Sequence, residues 1–191
     1  MPKRMLKNER REQLLSVAVS IIRERGTDAL TLARVAEEAG VTKPIAYNHF
    51  ESKENLLRQI YQNIDIRLIE SIRLAQETKS NSVQDTIAIL CESYINCMMK
   101  NGEIYELTVA ALKGYPHNST LSKDIQQFFT NAYSDLFQLP LSEQNDLNRI
   151  KLVAVYGLIE SVGSAVLSEQ ISKDSALSFL NREIYRLISS Q

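Results

Sequence analysis

The 191-residue sequence predicts an all-α protein of about nine helices. Apolar residues recur at three- and four-residue spacing along almost the whole chain, which is the period of an amphipathic helix. No segment shows the apolar–polar alternation that is typical of a half-buried strand. The six glycines and four prolines form no tract rich in either residue, which also favours helices.

Three short helices are predicted first. An apolar stripe over residues 14–22 marks the first helix. Thr31 is a good N-cap for the second helix, and Gly40 follows its last turn. Thr42 is expected to cap the third helix, with Pro44 in the first turn, where a missing amide hydrogen does no harm.

Six longer helices are predicted after a polar break at residues 51–54, where Ser52 can cap the fourth helix. We expect Asn101 and Gly102 to end the fifth helix. The domain boundary is predicted at the polar break, giving a first domain over residues 1–54 and a second over residues 55–191. The six helices are predicted from residues 57–75, 87–98, 104–112, 125–136, 142–169 and 173–189.

Charge is unevenly distributed along a chain whose net charge is -1. Residues 1–58 carry eleven Lys and Arg against eight Asp and Glu, whereas residues 59–191 carry eleven against fifteen. This split suggests that the N-terminal part meets a polyanion and that the remainder does not. An ordinary solvated surface would give the same difference, so charge alone leaves both interpretations open.

Residues 31–50 have the layout of a helix-turn-helix. Two short helices meet at a tight turn containing Gly40, which can take the left-handed backbone conformation that the turn needs. Ala36 allows the second helix of the pair to approach closely, and Val41 fills the corner. In a helix-turn-helix, the second helix enters the major groove of DNA.

This region resembles the TetR family of bacterial repressors. The family signature has Thr-Leu at the second helix, as at Thr31, then Ala-Gly-Val and a hydroxyl residue, as at residues 39–42. Tyr-x-His-Phe follows at residues 47–50, and Ser-Lys-Glu-x-Leu at residues 52–56. Ile45-Ala46 departs from the small residue followed by leucine that is more usual. The resemblance implies a DNA-binding regulator whose second domain senses a small molecule.

The third helix begins with side chains suited to DNA. Lys43 could reach guanine or phosphate, and Asn48 could pair with adenine. The resemblance implies that the Tyr47 hydroxyl and Lys53 grip phosphates, which positions the helix without reading sequence. The predicted DNA-binding residues are Thr31, Arg34, Thr42, Lys43, Pro44, Tyr47, Asn48, His49 and Lys53.

Alternatives remain for some of these assignments. Tyr47 and His49 could instead be half-buried packing residues. A basic N-terminal arm could reach the DNA backbone or the minor groove, or it could be a solvated tail. The arm comprises Lys3, Arg4, Lys7, Arg10 and Arg11.

A regulator of this type needs two recognition helices about 34–36 Å apart to read a palindrome, and a homodimer provides them. The segment Leu152–Ile159 is apolar on all sides, so one face is expected to pack inward and another against a partner. Together with the last helix it would form a four-helix bundle across the dimer. The alternative is a helix buried wholly within its own domain. The predicted interface residues are Leu152, Val155, Gly157, Ile159, Gly163, Val166, Leu177, Leu180 and Ile184.

An effector pocket is expected among the predicted fourth to eighth helices. Pockets are mostly apolar with a few placed polar groups, although an aromatic stripe can equally be core. Glu160 directly follows eight apolar residues and, if buried, would suit a cationic or hydroxylated ligand. The candidate pocket residues are Tyr94, Met98, Tyr105, Phe128, Phe129, Tyr133, Tyr156 and Glu160.

The sequence gives little support for an enzyme. The chain has two histidines and lacks the HExxH, P-loop and dinucleotide-binding motifs, so we expect no catalysis, no metal and no cofactor. Cys91 and Cys97 are six residues apart on one predicted helix, too far apart for a disulfide. We expect small core or pocket-lining residues there, with a redox sensor as the alternative.

The sequence also predicts where the protein is located and what it binds. The basic N-terminus is not followed by a signal-peptide core, and the apolar run at residues 152–159 is far shorter than the roughly 20 residues of a membrane span. We therefore expect a cytoplasmic protein whose partners are double-stranded operator DNA, a second copy of the chain and a small-molecule effector, with no membrane contact. An activator, or a DNA-binding protein of the same fold without a sensor, is the alternative.

Overall fold

The structure is a computed structural model, and it describes residues 6–79, 82–142 and 146–190. Within these ranges the chain forms eight α-helices and two short 3₁₀ turns, and none of these residues belongs to a β-strand, so the all-α prediction is confirmed. The helices are α1 (Lys7–Arg25), α2 (Leu32–Glu38), α3 (Lys43–Phe50), α4 (Lys53–Lys79), α5 (Val83–Lys113), α6 (Leu121–Phe137), α7 (Asp146–Leu167) and α8 (Lys173–Ser189). The 3₁₀ turns are Thr27–Ala29 and Pro116–Asn118.

The described ranges contain one helix fewer than predicted because α5 continues through Asn101 and Gly102. The predicted helix end at this glycine is wrong. Glycine weakens a helix by about 1 kcal/mol relative to alanine, but packing outweighs that cost here. A Cβ atom on Gly102 would lie 2.6 Å from Leu167 Cδ2 and 3.3 Å from Met98 Cε. The absence of a side chain therefore gives Leu167 of α7 room to pack against α5.

The chain divides into two compact units. The first comprises the residues up to Ile64 together with Glu103–Ser119, and the second comprises Asp65–Gly102 and the residues from Thr120 onward. Helices α4 and α5 therefore contribute to both units. The boundary predicted between residues 54 and 55 stays a prediction.

The first unit has an apolar core made by the inward faces of its helices. Leu14 and Ile21 of α1, Leu30 before α2, Phe50 of α3 and Leu57 of α4 are all completely buried. Burial of one such side chain contributes about 1.5–3 kcal/mol. This core fixes the helices that carry the predicted DNA-binding residues.

A polar network joins the two segments of the first unit. The buried side-chain amide of Asn118 donates to the Leu112 carbonyl oxygen at 3.0 Å and to Glu54 Oε1 at 3.1 Å. Arg58 donates to Asn118 Oδ1, and its Nη2 lies 3.4 Å from Glu54 Oε1. The exposed ring of His117 places its Nε2 3.4 Å from Glu54 Oε2. These contacts hold the first turns of α4, which directly follows α3.

Helix α7 is the most apolar helix of the second unit. Within the described residues it alone has the length and composition of a membrane span, with a mean hydropathy of 1.6 over its best 18-residue window. Core helices of soluble proteins have the same properties, and Leu152, Val155 and Ile159 are completely buried inside the unit. Packing inside the unit therefore explains the apolar residues on the buried face of α7.

Candidate nucleic-acid interface

The turn between α2 and α3 has the geometry that its sequence predicts. Thr31 caps α2, because its Oγ1 accepts a hydrogen bond from the Arg34 backbone amide at 3.1 Å. Gly40 has a φ of 65°, the left-handed conformation that favours glycine. The Val41 amide donates to the Ala36 carbonyl at 2.9 Å, which closes the turn. The predicted cap at Thr31 and the glycine turn are confirmed.

Helix α3 turns one face to the core and the opposite face to solvent. Ala46 and Phe50, four residues apart, are completely buried. Tyr47 is 48% exposed although its ring is large and apolar. An ammonium group, a phenol and a carboxamide thus lie together on a helix that is anchored from beneath. The exposed predicted residues on this helix are Lys43, Pro44, Tyr47 and Asn48.

Two other predicted site residues differ from what the sequence predicts. Thr42 is the N-cap residue of α3, but its side chain makes no capping hydrogen bond, so the predicted side-chain cap is wrong. The residue is exposed. Arg34 Nη1 donates to the Ala29 carbonyl at 2.7 Å, which links α2 to the 3₁₀ turn before it.

Positive charge surrounds the C-terminal end of α3. The pKa of His49 is lowered by partial burial first, and then by the nearby charges of Lys7, Arg11 and Arg10 on α1. The same charges make this part of the unit attractive to a polyanion. The predicted arm residues Lys3 and Arg4 lie outside the described residues.

Residues of α4 and α1 beside α3 are also held in place. Lys53 begins α4 and is partly exposed. Ser52 Oγ accepts a hydrogen bond from the Asn55 backbone amide at 3.1 Å, so the cap predicted at Ser52 is confirmed. Arg11 Nε donates to Gln59 Oε1 of α4 at 3.0 Å.

The chemistry of this surface is that of binding. Lysine, tyrosine and asparagine side chains are the groups that contact phosphates and base edges in DNA. In the parts of the chain that the structure describes, no group of three His, Cys, Asp or Glu residues could hold a metal ion.

Comparison with known proteins identifies the family. A family model described as bacterial regulatory proteins of the tetR family matches residues 14–60. The transcriptional activator FasR of Mycolicibacterium smegmatis is 30% identical over 183 residues, covering 91% of this chain and 80% of FasR. The chain belongs to the TetR family. It is therefore a DNA-binding transcriptional regulator and not an enzyme, as the resemblance in residues 31–56 implied.

Two further comparisons show how far the similarity extends. The nucleoid occlusion factor SlmA of Mannheimia succiniciproducens is 33% identical over 89 residues, 46% of this chain and 41% of SlmA. The crystal structure of a TetR-like transcriptional regulator from Rhodococcus sp. RHA1 covers 98% of this chain and 100% of its own, with a TM-score of 0.65 and 19% identity. At that identity the structure shows a shared fold alone.

The second unit of this TetR-family chain contains most of the predicted pocket residues. The Phe129 ring lies at their centre, because four of their rings have centroids 5.3–6.3 Å from its own. All of these rings except that of Phe128 are buried. We call this group the aromatic cluster; its members are Tyr94, Phe128, Phe129, Tyr133 and Tyr156.

The remaining predicted pocket residues make none of these ring contacts. Met98 lies beside Gly163, and Glu160 is exposed. Tyr105 belongs to the first unit, where its ring centroid is 6.3 Å from that of Tyr61. The assignment of all eight residues to a pocket stays a prediction.

Most of the predicted interface residues point into their own unit. A Cβ atom on Gly163 would lie 2.9 Å from Tyr94 Cε1, so this glycine makes room for a ring of the same chain. Gly157 and Leu177 are partly exposed. The residues buried within the unit are Leu152, Val155, Ile159, Gly163, Val166, Leu180 and Ile184.

Helices α7 and α8 expose other apolar residues that the sequence analysis missed. The sequence offered a sign of them at the start of α7. Leu147 and Ile150 are three residues apart, as on one helix face, and they precede the apolar run Leu152–Ile159 on which the interface prediction was based. The large apolar side chains exposed on these two helices are Leu147, Ile150, Phe179 and Tyr185.

Neither cysteine of this regulator is in a reactive environment. Burial raises the pKa of the Cys91 thiol to about 12. Burial also raises the pKa of Cys97. Both groups are therefore thiols at neutral pH, and the thiolate is the form that reacts.

Proposed function

We propose that this TetR-family regulator is a repressor that binds a palindromic operator as a homodimer and is released by a small-molecule effector. The observation that carries the proposal is the exposed face of α3. Lys43, Tyr47 and Asn48 stand in solvent on a helix whose opposite face is anchored by completely buried Ala46 and Phe50. A rigid helix with such a face suits insertion into the major groove.

Apolar residues exposed on α7 and α8 are the evidence that supports a dimer. Ile150 is 62% exposed and Leu147 is 47% exposed on α7, and Phe179 is 40% exposed on α8. Large apolar side chains exposed on two helices that pack against each other are typical of a surface that a second chain covers. A two-fold dimer has two copies of α3, as recognition of a palindromic operator requires.

The aromatic cluster supports an effector site in the second unit. Buried rings and a few polar groups are the usual lining of a small-molecule site. An effector releases DNA only if it binds better to the conformation that cannot hold the operator, because a ligand shifts an equilibrium only by its differential affinity.

An activator is the second candidate function. It is favoured by the similarity to FasR, whose name describes a transcriptional activator. Both candidates use the same α3 surface, so they differ in where the operator lies relative to the promoter and not in how DNA is bound.

The test is a footprint on the intergenic DNA upstream of the gene, followed by a promoter–reporter assay with and without the protein. A repressor protects a palindrome that overlaps the promoter, and its removal raises reporter output. An activator protects a site upstream of the promoter, and its removal lowers output. Asn48→Ala should weaken protection, whereas Gln62→Ala, at an exposed position of α4 in the same unit, serves as the matched control. Absence of any protected site in wild-type protein would refute both functions.

A further inference from the structure

A residue in a strained backbone conformation joins α3 to α4. Glu51 has a φ of 60° and a ψ of -47°, and the Ser52 amide donates to the Phe50 carbonyl at 2.6 Å. These angles and this hydrogen bond describe a γ-turn with positive φ, the rare and strained form of that turn. The connection is abrupt, because the Glu51 amide still donates to the Tyr47 carbonyl of α3, whereas Ser52 already caps α4.

The fold alone would favour a glycine at position 51. Glycine adopts positive φ without a steric penalty, and the other positive φ angles among the described residues of the first unit belong to Gly26 and Gly40. The Glu51 side chain is exposed, and within the described part of the chain it takes part in no hydrogen bond or ion pair. No contact of the glutamate itself therefore offsets the strain.

Residues on both sides of Glu51 hold the turn in place. Phe50 before it and Leu57 after it are completely buried in the core of the first unit. Glu54, in the first turn of α4, accepts a hydrogen bond from the buried side-chain amide of Asn118. A strained conformation persists when its surroundings determine it in this way, and such residues are concentrated at functional sites.

The Cβ atom of Glu51 makes the turn stiff as well as strained. At positive φ, steric contacts leave a residue with a Cβ atom only a small region of allowed backbone angles, whereas glycine occupies a broad one. The angle between α3 and α4 is therefore held within narrow limits. Tyr47 lies on α3 and Lys53 begins α4, so the stiff turn fixes the spacing of two side chains that are predicted to grip phosphates.

We infer that Glu51 is a positioning residue for DNA binding, whose strained turn holds α3 and the start of α4 in the arrangement that the operator requires. The contribution comes from the restricted backbone and not from the carboxylate. A surface that is already ordered before association binds more tightly, because less freedom is lost on binding. This assignment rests on the proposed function, since it concerns how the α3 surface is presented to DNA.

Glu51→Gly and Glu51→Ala separate the backbone from the carboxylate, because both lack the charge and only alanine keeps the Cβ atom. Glu51→Gly should unfold at a higher urea concentration than Glu51→Ala, because glycine relieves the strain. In gel shifts it should nevertheless bind operator DNA about fivefold more weakly, because a flexible turn lowers the fraction of molecules that hold α3 in the binding orientation. A purely structural role would not move stability and affinity in opposite directions.

Hydrogen exchange on the same two variants reports the stiffness directly. The α3 amides should be less protected in Glu51→Gly than in Glu51→Ala, although the glycine variant is the more stable protein as a whole. Equal or greater protection of α3 in the glycine variant would contradict a stiffening role for the Cβ atom and overturn the inference.

Gln138→Gly and Gln138→Ala form the matched control pair. Gln138 also has a positive φ, but it follows α6 in the second unit and its ψ of 38° lies in the ordinary left-handed region. Glycine there should likewise raise the urea midpoint above that of alanine, and the two variants should bind operator DNA equally. A loss of affinity in Gln138→Gly as large as that in Glu51→Gly would show an effect unrelated to α3 and overturn the inference.

The outcomes distinguish this inference from the proposed function. Wild-type protein that binds no operator overturns the proposed function, and the role of Glu51 in DNA binding with it. If the wild type binds, a Glu51→Gly protein that binds as well as Glu51→Ala, or better, overturns this inference alone. A urea midpoint for Glu51→Gly that is no higher than that of Glu51→Ala would show that the turn is not strained, with the same consequence.

Discussion

The side-chain amide of Asn118 donates to the Glu54 carboxylate at 3.1 Å, joining residues that are 64 positions apart in the chain. Glu54 lies in the first turn of α4, and Asn118 ends the 3₁₀ turn that precedes α6. Because α4 follows α3 after a two-residue connection, this bond helps to position the helix that carries the DNA-binding residues.

Asn118→Ala should lower the free energy of unfolding by about 2 kcal/mol, because it removes the hydrogen bonds that this buried amide makes with the Leu112 carbonyl, Glu54 and Arg58. Urea denaturation of the two proteins measures the change. His117→Ala is the control, since its side chain is 73% exposed and its contact with Glu54 should be worth less than about 1 kcal/mol. Equal effects of the two substitutions would contradict the importance of the buried amide.

Thr31 and Thr42 form a matched pair at the N-termini of α2 and α3. Thr31→Ala should lower the free energy of unfolding by about 1 kcal/mol, because its Oγ1 caps the Arg34 amide. Thr42→Ala should change stability little, because the Thr42 side chain makes no capping bond. If Thr42 meets a phosphate, its variant should instead weaken operator binding in a gel shift. A Thr42→Ala protein with reduced stability and full affinity would reverse both assignments.

The parts of the fold that depend on neighbouring residues could be predicted, and the parts that depend on distant ones could not. The cap at Thr31 and the turn at Gly40 follow from residues within one turn, so their local chemistry was sufficient. The continuity of α5 through Gly102 depends on Leu167, which packs where a side chain would stand. A glycine preceded by asparagine indicates a helix end unless that distant contact is known.

The same distinction applies to the candidate sites. The residues of α3 lie on one short helix, so their grouping follows from helical spacing alone. The inward and outward faces of α7 could not be told apart, because the helix is apolar on all sides and only the packing decides which side is covered.

Tyr47→Phe should weaken DNA binding by a similar factor on every sequence, because a hydroxyl that contacts phosphate does not read bases. Asn48→Ala should instead reduce the preference for the base that its carboxamide contacts, by about 1–3 kcal/mol at one position. Binding to a set of single-base operator variants separates the two patterns. A loss for Tyr47→Phe confined to one base position would contradict its phosphate role.

His49 should make the protein less stable in mild acid. Its pKa is lowered from 6.5 in the folded state, so below about pH 6.5 the unfolded chain binds more protons than the folded chain. The free energy of unfolding therefore falls as the pH drops from about 6.5 through the lowered pKa. Denaturation at several pH values should show a smaller fall for His49→Asn.

A direct measurement of the His49 titration provides the control. Ring proton shifts in NMR should give a pKa below 6.5 in the wild-type protein. Lys7→Gln removes one of the charges that act on His49 and should move that pKa partly back. An unshifted pKa in the wild type would remove the basis for the expected acid sensitivity.

Ile150 and Leu74 offer a matched test of the proposed dimer. Both are exposed apolar residues of the second unit, at 62% and 64% exposure, but Ile150 lies on α7 and Leu74 on α4. Ile150→Glu should bury an unpaired carboxylate at the interface and weaken dimerisation about 100-fold or more. Leu74→Glu should leave the dimer intact. Analytical ultracentrifugation over a range of concentrations measures both constants. If the two variants dissociate alike, the interface is not confined to α7 and α8. If neither dissociates although the wild type is a dimer, the second chain binds another surface.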